Sequence, residues 1–124
     1  MTKPVVCVVG TGGTIASRYD PSVGGHVSAA TAEYLVNAVP DIKALAEVQV
    51  VEHSNINSAL MDTATAFGVR DTLRRVLSDD RVAGAVVTHG TATLEETAYL
   101  MDLTLDSDKP VVFTGAHRHC AGPR

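Results

Sequence analysis

Four short apolar segments recur along this 124-residue chain, and amphipathic segments separate them. The first covers residues 4–9 and is rich in valine, which is typical of a strand buried on both faces of a parallel sheet. The other predicted strands are residues 48–52, 82–88 and 111–114. This alternation of strands with helical segments predicts an α/β fold, a doubly wound parallel sheet in three layers.

Helix-start signals precede the intervening segments. Thr31 is placed to cap a helix that Pro40 ends, and Asp62 is placed to cap a longer helix. Thr93 and Glu96 have the spacing of a capping box for a third helix. The longer helix carries an apolar face made of Ala66, Val69, Leu73, Val76 and Leu77.

Composition restricts the class of protein. Hydrophobic residues make up 45% and charged residues 19%, a balance that suits one small globular domain. The net charge of -4 argues against a nucleic-acid partner, and no apolar run approaches the roughly 20 residues that span a membrane. Cys7 lies within an apolar strand and is predicted to be a small core residue. We therefore expect a cytoplasmic protein with no membrane partner.

In a doubly wound sheet, ligands bind beyond the carboxyl ends of the strands. This rule selects the loops at residues 10–17, 53–60 and 89–93, and the segment that begins at Gly115. Three of these loops are rich in Thr, Ser, Asn, His and Gly, so polar groups are concentrated where a ligand is expected. Residues 17–28 contain one proline and two adjacent glycines and are predicted to form a mobile loop.

The first loop has a chemical interpretation and a structural one. Gly12 and Gly13 allow a sharp turn and the close approach of a ligand, and Thr14 is then a candidate nucleophile. The structural alternative is a glycine turn in which Thr14 bonds its own backbone. A dinucleotide-binding loop is a further alternative, but Ile15 occupies the place of its last glycine.

The second loop supplies another hydroxyl group. Thr91 lies at a strand end just before a helix and is expected to face the same crevice as Thr14. Two converging hydroxyl groups suggest acyl transfer to an enzyme oxygen, followed by hydrolysis. His89 is interpreted as a supporting residue, with a role as general base as the alternative.

Three segments together resemble the asparaginase/glutaminase family of amidohydrolases. They are residues 8–16 (VVGTGGTIA), residues 84–94 (GAVVTHGTATL) and residues 111–118 (VVFTGAHR). The resemblance implies a two-domain architecture, in which residues 1–124 form an incomplete N-terminal α/β domain without the second domain. It also implies a homo-oligomer, and we expect no cofactor.

The resemblance implies a role for each matching residue. Thr14 attacks a side-chain amide carbon and releases ammonia, and Thr91 belongs to a second hydroxyl centre that the family pairs with a lysine. Ser58 matches a serine that holds the substrate carboxylate, and Gly13 lies in the substrate-binding loop. Tyr19 is the candidate for the family's loop tyrosine, although its spacing is imperfect and an exposed loop tyrosine is the alternative.

The sequence departs from the family pattern at two places. Ala92 stands where the family has an aspartate that binds the substrate's α-ammonium group, and Ala59 replaces a common polar contact. These alanines predict an altered substrate, an amide or lactam without the ammonium. The family's lysine lies beyond Arg124, and the lysines of this chain, at positions 3, 43 and 109, are not expected to replace it.

Other functions remain open at this stage. A pseudoenzyme would keep a crevice for a small acid or amide without turnover, and a truncated product would fold poorly. His117, His119 and Cys120 could be taken for metal ligands, but they lack a fourth partner, and a solvated tail is the preferred interpretation.

Overall fold

A computed structural model describes residues 2–119 of the chain. Strands and helices alternate through most of this length, as the pattern of apolar segments predicts. In chain order they are β1 (Val5–Gly12), β2 (Ser17–Asp20), β3 (Gly25–Ser28), α1 (Ala32–Asn37), α2 (Ile42–Leu45), β4 (Glu47–Ile56), α3 (Thr63–Leu77), β5 (Val82–Thr88), α4 (Leu94–Thr104) and β6 (Val111–Thr114).

Four parallel strands form the main sheet in the order β4-β1-β5-β6. Strand β1 lies inside the sheet, where Val5 pairs with Glu47 on one side and with Val82 on the other. The chain moves from β1 to β4 through α1, then crosses back through α3 to reach β5. The winding direction therefore reverses between β1 and β5, which is where this class of sheet binds ligands.

Helices pack on both faces of the sheet. Successive residues of β1 alternate between two cores: Val9 packs in the α3 and α4 layer with Leu73, whereas Val8 packs in the α1 layer with Val36. The three-layer, doubly wound arrangement is thus confirmed. Cys7 is a buried core residue, and its burial raises the pKa of the thiol.

Two of the three predicted helix caps are confirmed. The Thr31 hydroxyl accepts a hydrogen bond from Tyr34 N at 3.1 Å, and the Asp62 carboxylate accepts one from Thr65 N at 2.8 Å. The capping box at Thr93 is wrong, because the Thr93 side chain makes no capping bond. Its hydroxyl instead donates to Ser58 O at 2.9 Å, so a tertiary contact has replaced the local one.

The mobile loop predicted for residues 17–28 is wrong, since this segment forms an antiparallel hairpin of β2 and β3. The Asp20 carboxylate accepts hydrogen bonds from both the backbone N and the hydroxyl of Ser22, which closes the turn. Gly24 follows with a φ of 65°. At the base of the hairpin, the Ala16 carbonyl accepts hydrogen bonds from the next two backbone N–H groups after β3.

Strands β1 and β4 both extend beyond their predicted ends. An irregularity between Gly10 and Gly12 shifts the register by bringing Gly12 opposite Ile56. Pairing therefore continues through glycine, threonine, histidine and asparagine positions that carry no apolar signal. This extension brings the end of β4 beside the first polar loop.

The partly buried ring of His53, on β4, packs against α3, and this contact can be tested. Its Nδ1 lies 2.8 Å from the Thr72 hydroxyl, and the ring packs against Gly68 of the same helix. Burial, assisted by the nearby Arg75 charge, lowers the pKa of His53 below 6.5. The unfolded chain binds this proton more readily than the folded chain does. The contribution of His53 to the free energy of unfolding is therefore fully present above about pH 6.5 and is lost as the pH falls below that value.

We therefore expect Tm to decrease as the pH is lowered from about 7 to 5. We expect the Tm of the His53→Gln variant to decrease less over the same range. Thermal unfolding followed by circular dichroism across the pH series measures this difference. His117→Gln, at an exposed histidine after β6, is the matched control and should follow the wild-type curve. Identical pH profiles for wild type and His53→Gln would contradict the assignment.

Candidate active site

A small cleft of about 110 Å³ lies at the reversal point, beyond the carboxyl ends of β1 and β5. Pockets for drug-sized ligands usually measure ~300–1,000 Å³, so this cleft suits a much smaller molecule. Its walls come from four separate segments of the chain. The lining residues are Gly13, Thr14, Ser28, Asn57, Ser58, Gly90, Thr91 and Ala92.

Glycine positions hold the first and second loops in direct backbone contact. A Cβ at Gly13 would lie 2.5 Å from Gly90 N and nearer still to Gly90 Cα. Gly13 also has a φ of 85°, and its N–H donates to Ile56 O at 3.0 Å. Gly12 has a φ of 99°, and a Cβ there would lie 2.6 Å from Ile56 N. Only glycine fits these two positions, and the first loop is thereby fixed against both neighbours of β1.

The threonines near the cleft divide into two groups. The buried Thr11 hydroxyl donates to Thr88 O at 2.8 Å, and that of Thr93 donates to Ser58 O. The hydroxyl groups of Thr14 and Thr91 make no hydrogen bond to any group within residues 2–119. Both of these half-buried residues line the cleft, so two uncommitted hydroxyl groups meet the same space.

Ser58 is buried at the start of a short 3-10 turn (Ser58–Leu60). The Asn57 side chain caps this turn by accepting a hydrogen bond from Ala59 N at 3.0 Å. Ser58 is 3% exposed, and its Oγ accepts a hydrogen bond from Ala92 N at 3.2 Å. Since that bond uses a lone pair, the Ser58 hydroxyl proton remains available to donate to a ligand oxygen.

The cleft has no ionisable side chain among its described lining residues. Ala92 is exposed at its edge and supplies only a methyl group in addition to its backbone. The lysines lie elsewhere, as the sequence predicts: Lys3 donates to Lys43 O, and Lys109 donates to Leu77 O at the end of α3 and to Asp79 O just beyond it. Within residues 2–119, the groups that line this cleft are therefore neutral hydrogen-bonding and methyl groups.

Tyr19 lies outside the cleft lining, on the hairpin. It is 56% exposed, and its ring makes an edge contact with His26 at 5.6 Å. The ring of His119 stacks on the ring of His26, with 3.6 Å between their centroids. The hairpin itself reaches the cleft through Ser28, which exchanges two hydrogen bonds with the Asn55 side chain.

Five of the six predicted site residues are thus brought together, namely Gly13, Thr14, Ser58, Thr91 and Ala92. Three lining residues are not among those predicted from the sequence. Asn57 and Gly90 lie within loops that the fold rule had selected, so that rule could have identified them. Ser28 carries no such signal, because it reaches the cleft only through the unpredicted hairpin.

A larger hollow of about 400 Å³ lies between α4 and β6, but its position differs from that of the cleft. It follows the side of the sheet and is lined mainly by apolar groups such as Met101 and Phe113. Among residues 2–119, no three His, Cys, Asp or Glu side chains are arranged to hold a metal ion, and Cys120 lies outside this range. No helix in the same range is long and apolar enough to cross a membrane.

Comparisons with known proteins agree on one family. The family described as Asparaginase, N-terminal matches residues 5–124. L-asparaginase 2 of Escherichia coli is 42% identical over 121 residues, which cover 95% of this chain and 34% of that protein. L-asparaginase 2-3 of Saccharomyces cerevisiae is 39% identical over 117 residues, which cover 93% of this chain and 32% of that protein.

The fold comparison points to the same group. The crystal structure of a probable cytoplasmic L-asparaginase from Campylobacter jejuni has a TM-score of 0.86 and 38% sequence identity. The match covers 94% of this chain and 36% of that structure. The chain therefore spans about a third of the length of the relatives it matches.

The glycine contact between the loops generates a stability prediction. Gly13→Ala places a methyl group against Gly90 in a backbone conformation that side chains rarely adopt, so we expect a loss of about 4 kcal/mol or more. Gly24→Ala is the matched control, because Gly24 also has a positive φ but nothing within 4 Å of its Cβ position. It should cost only about 1–2 kcal/mol. Urea unfolding measures both, and equal losses would disprove the loop contact.

Proposed function

Because this chain belongs to the asparaginase family, we propose that it carries an amidohydrolase site that converts a small carboxamide into an acid and ammonia. The observation that supports this most directly is the pair of uncommitted hydroxyl groups, on Thr14 and Thr91, in one small cleft. The fully buried Thr11 provides the contrast, since its hydroxyl is used in a structural bond.

The proposed reaction has two steps. In the first, Thr14 Oγ forms a bond to the amide carbon, the carbon–nitrogen bond breaks, and the hydroxyl proton is delivered to the nitrogen that leaves as ammonia. In the second, water attacks the resulting ester, the acid is released and Thr14 regains its proton. We assign Thr91 as the second hydroxyl, through which the proton can pass to the leaving nitrogen. Tyr19 remains a candidate only if the hairpin moves toward the cleft.

Ser58 is proposed to hold the carboxylate of the ligand. Its hydroxyl already accepts from Ala92 N, so its proton can be donated to a carboxylate oxygen. The bond from Thr93 to Ser58 O fixes the backbone of the same residue. Gly13 lines the cleft beside Thr14, and its lack of a side chain lets the first loop lie directly against Gly90.

The substrate we propose is a carboxamide acid without an α-ammonium group. An ammonium group bound beside Ala92 would find no carboxylate among the described lining residues, and a desolvated cation without a partner is costly. Succinamate, which is asparagine without its amino group, keeps both the amide and the carboxylate. It is therefore the probe that matches the cleft.

A second candidate is a binding site without turnover. It is favoured by the absence of an ionisable side chain among the described lining residues, since Thr14 then has no adjacent base to take its proton. Binding of succinate without release of ammonia from succinamate would select this candidate.

The setting of the protein is proposed by analogy. The Campylobacter jejuni neighbour is named as cytoplasmic, and we propose the same location for this chain. The family resemblance supports a homo-oligomer, which the mass in solution would establish. The proposed partner is a small amide, with no cofactor.

Removal of the Thr14 hydroxyl tests the nucleophile. We expect Thr14→Val, which keeps the side-chain shape, to lower ammonia release from succinamate by at least about 1,000-fold. Thr14→Ser restores a hydroxyl and should retain part of the activity. Rates are measured by ammonia release, and mass spectrometry of quenched reactions detects the acyl-enzyme. Full activity in Thr14→Val would exclude this residue as the nucleophile.

The substrate preference is tested at Ala92. We expect wild type to prefer succinamate to L-asparagine in kcat/KM, and Ala92→Asp to shift this ratio toward L-asparagine by about 10- to 100-fold, because an ammonium–carboxylate bond is restored. Ala92→Asn introduces a side chain of nearly the same shape as aspartate but without its charge, so it should leave the ratio unchanged. Efficient turnover of L-asparagine by wild type would contradict the proposal.

A further inference from the structure

One fully buried polar side chain beside the cleft has no place in the proposed reaction. His89 follows β5 directly and is 0% exposed. Its ring lies 6.0 Å from that of Phe113, and its backbone N–H donates to Thr114 O at 2.9 Å. The buried ring therefore lies near Phe113 of β6, at the start of the second loop.

The two ring nitrogens of His89 are in different situations. Nδ1 lies 2.7 Å from Gly90 O, and because a carbonyl oxygen can only accept, Nδ1 carries the proton. Nε2 is then a buried lone pair, and it has no hydrogen-bond partner within the described residues. An apolar side chain would fill this space without that desolvation cost. Within the described residues, the bond that Nδ1 donates is therefore the hydrogen bond through which the His89 ring acts.

That bond fixes the peptide unit that enters the cleft. Gly90 C=O and Thr91 N–H belong to one planar peptide, and no peptide bond among the described residues is cis. The two groups therefore point in opposite directions. With the Gly90 carbonyl held toward the buried ring, Thr91 N–H is directed away from that ring, and both residues line the cleft.

The Thr91 N–H group is not used by the fold. It makes no hydrogen bond within residues 2–119, whereas the next backbone N–H, of Ala92, donates to Ser58 Oγ. The opposite side of the loop is restrained as well, because a Cβ at Gly115 would lie 2.7 Å from His89 O and 3.2 Å from the Thr91 methyl group. A donor that is free and held in one orientation is suited to a ligand oxygen.

We propose that His89 is a positioning residue, which holds the Gly90–Thr91 peptide so that Thr91 N–H donates to an oxygen of the bound amide or acid. This assignment deepens the proposed amidohydrolase function and rests on it for the identity of the ligand. His89 itself touches no reacting atom. The orientation of the peptide, however, can be measured without any ligand.

The experiment uses NMR spectroscopy of the 124-residue chain and three variants. In wild type we expect the ring ¹⁵N shifts of His89 to report a proton on Nδ1. His89→Leu should shift the Gly90 carbonyl ¹³C and Thr91 amide resonances, because the bond is lost. His89→Asn places an amide N–H where Nδ1 lies and should restore both. His53→Leu, at a histidine outside the cleft lining that bonds to Thr72 of α3, is the matched control.

Titration with succinate then measures the functional effect. We expect His89→Leu to weaken succinate binding by about 10-fold or more, with most of the affinity recovered in His89→Asn and no change in His53→Leu. A proton on Nε2, unchanged Gly90 and Thr91 resonances in folded His89→Leu, or wild-type succinate affinity in that variant would each overturn the proposal. If wild type neither binds succinate nor hydrolyses succinamate, the proposed function fails while the resonances still decide the role of His89.

Discussion

The contact between the backbones of Gly13 and Gly90 sets the distance between the two loops that form the cleft. A side chain at either glycine would push the two loops apart. A side chain at Gly90 would also displace Ser58, since a Cβ at Gly90 would lie 2.7 Å from the Ser58 Cβ. The same closeness brings Thr14 and Thr91 to one space. Function at this site thus depends on two positions that contribute no side chain.

Much of the fold follows from local signals. The valine-rich strands and the apolar face of α3, from Ala66 to Leu77, are apparent because burial on two faces or on one stripe leaves a periodic pattern. The hairpin leaves no such pattern. Its strands are only partly buried, and its turn depends on the Asp20 carboxylate and on Gly24. Such local chemistry is easily taken for a loop.

Part of the cleft could be predicted from the rule that ligands of a doubly wound sheet bind beyond the carboxyl ends of its strands. Thr14, Ser58 and Thr91 lie in loops that this rule selects, whereas the role of Thr93 depends on a competition that sequence cannot resolve. A threonine before a helix usually caps it. Here the Ser58 carbonyl is close enough to accept the hydrogen bond of the Thr93 hydroxyl instead. The two groups are close only because β4 and β5 both pair with β1.

The central position of β1 also determines when the cleft can exist. Strand β1 precedes both of its partner strands along the chain, so Val5 must wait for Glu47 and then for Val82 before both of its edges are paired. Pairings so distant along the chain form slowly, and an unpaired valine-rich strand is prone to association with other chains meanwhile. The cleft takes its lining from the loops that follow β1, β4 and β5, so it is complete only when both pairings of β1 have formed.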